Sequence, residues 1–245
     1  MAESDLQYDN SHRLFVQSLM SYQILEESKA LEIHELVCSM ANVEQGDFAM
    51  FVGQINHKLN EYDFSLRRSH NQWTGEPVIA FVNTKPDDVA QLATSYDATQ
   101  IGLFRKLIES IVMADDDKYS VRSMTAISLG QHMEPAMTTK ATEEFLEQLV
   151  KDQWLMERSG SYTLSPRCLM ELTGYLHEQF QGVIKECHMC SDLVTVGERC
   201  ESQPCNVRIH KHCAEQLFVT NRQPLSCPSC RTTWSRTSTF GLSPP

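Results

Sequence analysis

Apolar residues recur at helical spacing three times before residue 62. Over 11–25 (SHRLFVQSLMSYQIL), Leu14, Phe15, Ser18, Leu19 and Tyr22 share one helical face. A second helix is expected near 29–41. A third is expected over about 46–61, where Phe48, Phe51, Val52, Ile55 and Leu59 follow the 3.6-residue period. The pattern then changes. FSLRR (64–68) and VIAFV (78–82) are short strand-like runs separated by a polar loop through Gly75, Glu76 and Pro77, which predicts a hairpin with a long tip.

The same order then repeats. Ile101, Phe104, Ile108, Ile111 and Val112 mark a helix that stops at Asp115, Asp116 and Asp117, and a short helix fits 121–129. Pro135 breaks the chain. A third helix over 138–153 turns Phe145, Leu146 and Leu149 inward, and WLMERSGSYTL (154–164) is a tight hairpin turning at Ser159 and Gly160. Ser165 and Pro166 form an N-cap and first-turn pair for a closing helix to about 180, with Leu169, Leu172 and Leu176 on its buried face. Three helices and a two-stranded wing, twice over, predict tandem winged helices in an α+β chain. The organisation expected is a first winged helix over 1–90, a second over 91–182, a small zinc-binding domain over 183–236 and a disordered tail over 237–245. Cys38 and Cys168 fall on the helices and are assigned to the core.

Composition adds a charge asymmetry. The 245-residue chain is 41% hydrophobic, enough for packed cores, and carries a net charge of −11. From residue 187 onward the balance is 6 − 4 = +2, so residues 1–186 carry −13. Such a front end repels a phosphate backbone. The helix over 46–61 carries Asp47, Lys58 and Glu61, and that over 138–153 carries Lys140, Glu143, Glu144, Glu147, Lys151 and Asp152. Only Arg67 and Arg68 on the first wing favour phosphate contact, so protein-binding winged helices are expected, with direct DNA contact weak or indirect. The opening MAESDLQYDN does not read as a signal peptide. No uncharged apolar run reaches the roughly 18 residues of a membrane span. There is no N-x-S/T acceptor site. An intracellular setting with reduced thiols is expected, with no membrane partner.

Seven of the nine cysteines lie beyond residue 186. Cys187 and Cys190, Cys200 and Cys205, His210 and Cys213, and Cys227 and Cys230 make four ligand pairs, enough for two tetrahedral zinc sites. A single C-x-x-C could serve redox chemistry, and iron–sulfur ligation would need only four of these ligands. Eight donors in four pairs favour two structural Zn2+ ions, each closed to substrate by four protein ligands. His210 has the spacing of a ligand. His212 adjoins Cys213 and diverges from it, and His188 lies inside the first knuckle; both are expected at the surface. A segment this short cannot hold itself together by apolar burial alone, so metal must support it.

The order Cys-Cys-Cys-Cys-His-Cys-Cys-Cys resembles a variant RING. PHD fingers share that order, but they usually carry a Trp two residues before the seventh ligand, where this chain has Leu225. The ending CPSCR (227–231) is RING-like, whereas Cys200-x4-Cys205 is wider than the usual second pair. The resemblance implies interleaved sites: Cys187, Cys190, His210 and Cys213 on one ion, and Cys200, Cys205, Cys227 and Cys230 on the other. It also implies no covalent catalysis, but docking of a ubiquitin-conjugating enzyme by Met189, Pro228 and Arg231. Each of the three has a plainer role open to it, in loop packing, knuckle stiffening or solvation. Leu217 and Phe218 mark a short helix after Cys213, with Phe218 in the core.

Winged helix, winged helix and variant RING is an uncommon order. Together with LFRKLIESIV (103–112) and DQWLMERSGSYTL (152–164), it resembles the family of RING subunits of the structural-maintenance-of-chromosomes five/six DNA-repair complex, the non-structural maintenance of chromosomes element one family. The resemblance implies a nuclear, chromatin-associated ubiquitin ligase in double-strand-break repair by homologous recombination. It implies a MAGE-domain partner held by the winged helices, a kleisin subunit bridging to the ATPase heads, and partner-dependent activity. Two other classes stay open: a non-catalytic interaction subunit whose RING clamps a neighbour, and a PHD-like histone reader.

Overall fold

The structure, a computed structural model, describes residues 8–84, 96–202, 204–219 and 225–242. These divide into two compact units. The first holds the described residues up to Asn71 and those from Glu76 to Thr84; the second holds Gln72–Gly75 and the described residues from Tyr96 onward.

In the first unit, helix α1 (Asn10–Tyr22) starts at Asp9, whose carboxylate accepts from the Ser11 N–H at 2.8 Å. His12 Nδ1 in turn accepts from the Asp9 N–H at 3.2 Å. This is a capping box with histidine where Glu or Gln is usual. It draws His12 inward, so the buried stripe runs through Ser11, His12, Phe15, Val16 and Leu19. Tyr22, expected on the buried face, is instead 51% exposed. Strand β1 (Ile24–Glu26), helix α2 (Glu27–Ala41) and helix α3 (Phe48–Leu59) follow, then a short 3-10 turn at Asn60–Tyr62. Strands β2 (Phe64–His70) and β3 (Pro77–Asn83) complete an antiparallel sheet of order β1-β3-β2. The open edge of β2 is capped at one point. Asn56 donates Nδ2–H to the Leu66 carbonyl at 3.0 Å and accepts from the Leu66 N–H at 2.6 Å. Phe15, Leu19, Ile33, Val37, Phe48, Phe51, Val52, Ile55, Leu66 and Ile79 share one apolar core.

The second unit repeats the scheme. Helix α4 (Ala98–Val112) starts at the capping box of Asp97 and Gln100. Strand β4 (Val121–Arg122), helices α5 (Ser123–Gln131) and α6 (Thr139–Lys151) and strands β5 (Leu155–Arg158) and β6 (Ser161–Leu164) follow, with sheet order β4-β6-β5. In both sheets the short strand after the first helix pairs with the last strand of the wing, so both are winged helices. The closing helix is two: α7 (Pro166–Glu171) and α8 (Thr173–Gln179). The Thr173 hydroxyl donates back to the Leu169 carbonyl at 2.6 Å and lies 3.1 Å from that of Met170. Such back-bonding competes with the helical ladder and breaks it at Leu172.

Beyond α8 the elements shorten to β7 (Lys185–Glu186), β8 (Leu193–Val194), β9 (Gly197–Arg199), β10 (Arg208–Ile209) and helix α9 (Lys211–Val219). Gly197 is needed here. A Cβ at that position would lie 2.2 Å from the Ile209 carbonyl oxygen, so any side chain would push β9 off β10. The tail departs from the expected disorder. Strand β11 (Thr239–Phe240) pairs antiparallel with Glu198 and Gly197, giving a sheet of order β10-β9-β11. Phe240 is buried and takes the tail with it, because its ring packs edge-on against Tyr119 at 6.2 Å. Residues 243–245 of the expected tail lie outside the described residues. One further segment belongs to this unit. Gln72 is buried, donates to the Leu193 carbonyl at 2.8 Å, and accepts from the N–H groups of Thr195 at 2.9 Å and Val196 at 3.0 Å.

Candidate metal centre

The eight sequence-predicted ligands gather into two groups. Cys187, Cys190, His210 and Cys213 form one; Cys200, Cys205, Cys227 and Cys230 form the other. Within each, one donor atom per residue lies within 4.8 Å of all the others. The pairs therefore interleave as the RING resemblance implies, and the wide Cys200-x4-Cys205 loop still delivers both sulfurs.

The donor spacing fits zinc. Four sulfurs at about 2.3 Å from a tetrahedral ion stand about 3.8 Å apart. Cys205 and Cys227 sulfurs are 3.7 Å apart, and those of Cys200 and Cys230 are 3.4 Å apart. His210 Nδ1 lies 3.4 Å from the Cys190 sulfur and 3.9 Å from that of Cys213. The imidazole is oriented from behind. Its Nε2 lies 3.2 Å from the Leu193 carbonyl, which holds the proton there and leaves the Nδ1 lone pair for the metal.

The two C-x-x-C knuckles are built alike. The Cys187 N–H donates to the Asp192 carbonyl at 2.8 Å and the Ser191 N–H to the Cys187 carbonyl at 2.9 Å; the Cys227 N–H donates to Thr232 at 2.8 Å and the Arg231 N–H to Cys227 at 3.0 Å. In each, the residue after the second cysteine takes the left-handed conformation: Ser191 at φ 62° and Arg231 at φ 60°.

The thiols titrate against one another. Hydrogen bonds from Cys190 and Cys213 push the Cys187 thiol far down, while the same contacts to Cys187 and Cys190 push Cys213 far up. Burial opposes a charge on His210, but Cys187 and Cys190 raise it to about 9. In the second group, burial pushes Cys200 up to about 12, while Thr232, through its hydroxyl and its N–H, holds Cys230 down to about 6. Neighbouring thiols thus cannot all ionise unaided. A bound dication removes that conflict by deprotonating every coordinating sulfur. With four protein donors in each group, both ions are structural.

The remaining predicted residues fall as follows. Met189, Pro228 and Arg231 are all exposed, Met189 at 45%. His188 is exposed and outside both groups. His212, expected at the surface, is half-buried, because its ring stacks on His210 at 5.0 Å with planes 13° apart. Phe218 is in the core, 5.7 Å from Trp234. Sequence reasoning missed Glu198, a buried carboxylate that accepts from Trp234 Nε1 at 2.7 Å and pairs with Arg236 Nη2 at 2.9 Å. The cysteines carry no trace of that triad. On the first wing, Arg68 is engaged by Glu27 at 3.1 Å and covers the Phe48 ring at 4.9 Å, which weakens its case as a phosphate contact.

Residues 12–172 match the family described as Nse1 non-SMC component of the SMC5-6 complex, and residues 187–230 match a RING-like domain. The chain is 30% identical over 229 residues to the non-structural maintenance of chromosomes element 1 homolog of Xenopus laevis, covering 92% of this chain and 83% of that one. With the human homolog it shares 30% over 226 residues, covering 91% and 83% of the two chains. With element 1 of Schizosaccharomyces pombe it shares 31% over 190 residues, 78% of each. A solved chain of an Nse1-Nse3-Nse4 complex superposes with a TM-score of 0.83 at 29% identity, covering 94% of this chain and 98% of that chain. Among the described residues no helix is long and apolar enough to cross a membrane.

Proposed function

The chain belongs to the Nse1 family of non-SMC components of the SMC5-6 complex, and from that premise we propose that it is the complex's RING-type ubiquitin ligase subunit. It holds a ubiquitin-charged conjugating enzyme in a reactive pose, and catalysis is by positioning. The observation that carries this reading is Arg231. A left-handed residue after the second cysteine of a knuckle is a place for glycine or asparagine, and arginine there is strained. Among the described residues no hydrogen bond or ion pair engages the Arg231 side chain, and Arg231 and Pro228 are both exposed. Met189, in the other knuckle, is an exposed apolar contact. Such a charge is well suited to a partner outside the chain.

The winged helices are the docking platform for a MAGE-domain subunit, and a kleisin subunit bridges to the ATPase heads. One relative of known structure comes from an Nse1-Nse3-Nse4 complex. The acidic charge of residues 1–186 fits protein docking better than direct DNA contact. The setting is the nucleus, on chromatin, in double-strand-break repair by homologous recombination.

Ubiquitin discharge from a panel of charged conjugating enzymes, with and without the MAGE-domain partner, tests this. Acceleration that Arg231→Ala lowers at least tenfold, about 1.4 kcal/mol of barrier, is the expected result. No acceleration with any enzyme, with zinc loaded and the partner bound, would move the assignment to a non-catalytic subunit whose RING-like domain clamps a neighbour.

A further inference from the structure

The turn after α4 is unusual. Asp116, Asp117 and Tyr119 all have positive φ, at 59°, 53° and 46°, and none is glycine. Left-handed residues this dense persist only where their surroundings impose them. What surrounds this turn is the zinc domain. Arg208 on β10 sends Nε at 3.1 Å and Nη2 at 2.7 Å to Asp117 Oδ2. Arg199 on β9 reaches Asp116 Oδ1 at 3.0 Å and Asp117 Oδ2 at 3.7 Å. The Asp117 carbonyl accepts the Gly241 N–H at 2.9 Å, and the Tyr119 ring lies against Phe240. Arg208 is the most buried of these charges, with a side chain 12% exposed, and its guanidinium lies 5.5 Å from the Phe240 ring centre.

From this geometry we infer that the Asp115–Asp117 turn fixes the orientation of the zinc domain on the helical part of the second unit. Asp117 is the positioning residue and Arg208 its counterpart. The turn presents the Asp117 carboxylate in a preset position, and Arg208 sets two guanidinium nitrogens on its Oδ2, while Arg199 takes Asp116. Lysine at 208 would keep the charge and lose the two-point contact. The exposed Asp116 adds little, since solvent screens it. The metal holds the zinc domain together; the turn sets where that domain points. The inference goes beyond the ligase proposal and holds whether or not the domain engages a conjugating enzyme.

Amide hydrogen exchange on the zinc-loaded full chain separates the two roles. Gly241, Thr195 and Val196 donate out of the zinc domain, to Asp117 and Gln72. Cys187, Ser191, Cys227 and Arg231 donate within it. Asp117→Asn keeps a residue that tolerates positive φ and removes the charge. We expect it to speed exchange at Gly241, Thr195 and Val196 at least about fivefold, with the knuckle amides protected and both ions retained. Arg208→Gln should do the same, Arg208→Lys should fall between, and the double variant should exchange no faster than either single one. Unchanged exchange at Gly241, or additive effects in the double variant, overturns the inference. So does loss of zinc or of knuckle protection in both single variants, since the turn would then be part of the fold and not a positioning device.

Discussion

The first winged helix and the zinc domain solve the same problem by opposite means. In the first unit, helices of 12–15 residues press one apolar core, and Phe15, Leu19, Ile55 and Ile79 are wholly buried. In the zinc domain the strands are two or three residues long, too short to hold a sheet by pairing. Its buried residues include five of its own metal ligands, Cys187, Cys200, His210, Cys213 and Cys227. Where burial supplies the cohesion, a single side chain is one contributor among many. Where ligation supplies it, each ligand is indispensable, and the surface is left free for arginine and methionine in exposed positions.

The sharpest way to break that contrast is at a ligand. Cys213→Ser, or a strong chelator, should unfold the zinc domain while the first unit keeps its fold, because structural zinc is worth about 10–16 kcal/mol, more than so small a domain can replace. Zinc content and amide spectra of the two regions read this directly; retention of a folded zinc domain with both ions bound would contradict it. Next in size, Phe15→Ala should lower the stability of the first unit by about 3–5 kcal/mol and leave the zinc content unchanged. Smaller still, Asp47→Ala removes the carboxylate that accepts the Met50 N–H at 2.9 Å at the start of α3, and should cost about 1 kcal/mol in denaturant titration.

The fourth effect depends on pH. His34 is fully buried, and among the described residues its Nε2 has no hydrogen-bond partner. Burial, with His12 nearby, holds its pKa below the usual 6.5 against the pull of Asp47. A base whose pKa is lower folded than unfolded binds its proton more readily when unfolded. Its contribution is therefore complete above pH 6.5 and is lost as the pH falls from there toward the folded-state pKa. The unfolding midpoint of the first unit should drop between pH 7.5 and 5.5, and drop less in His34→Phe. A midpoint equally sensitive in both proteins would assign the effect elsewhere.

The helices were legible because their apolar residues repeat over several turns. Phe48, Phe51, Val52 and Ile55 are buried where the period placed them. What escaped was short or non-local. Strands β1 and β4, of three and two residues, carry no alternation to count, yet they give each sheet its third member. The inward turn of His12 comes from an N-cap, and the break at Leu172 from a hydroxyl bonding backwards. Neither leaves a mark on hydrophobic spacing. The metal groups were the most legible part, because ligand chemistry restricts both residue type and interval. Tail residues 238–242 were misjudged from polar composition: STFGL holds one phenylalanine, and that residue decides the matter.

The interleaving of the ligand pairs has a consequence for how the domain is made. Cys200 and Cys205 lie inside the loop that the first ion closes, and His210 and Cys213 lie inside the loop that the second ion closes. Each ion therefore staples shut the span carrying half of its neighbour's donors, and shortens the search that the other must make. Loading should be cooperative, with a singly occupied chain scarce at intermediate zinc. On the ribosome the second site stays open until Cys230 has been added. The second winged helix, which shares this compact unit, precedes the zinc domain in the chain, so the zinc domain closes against residues made before it.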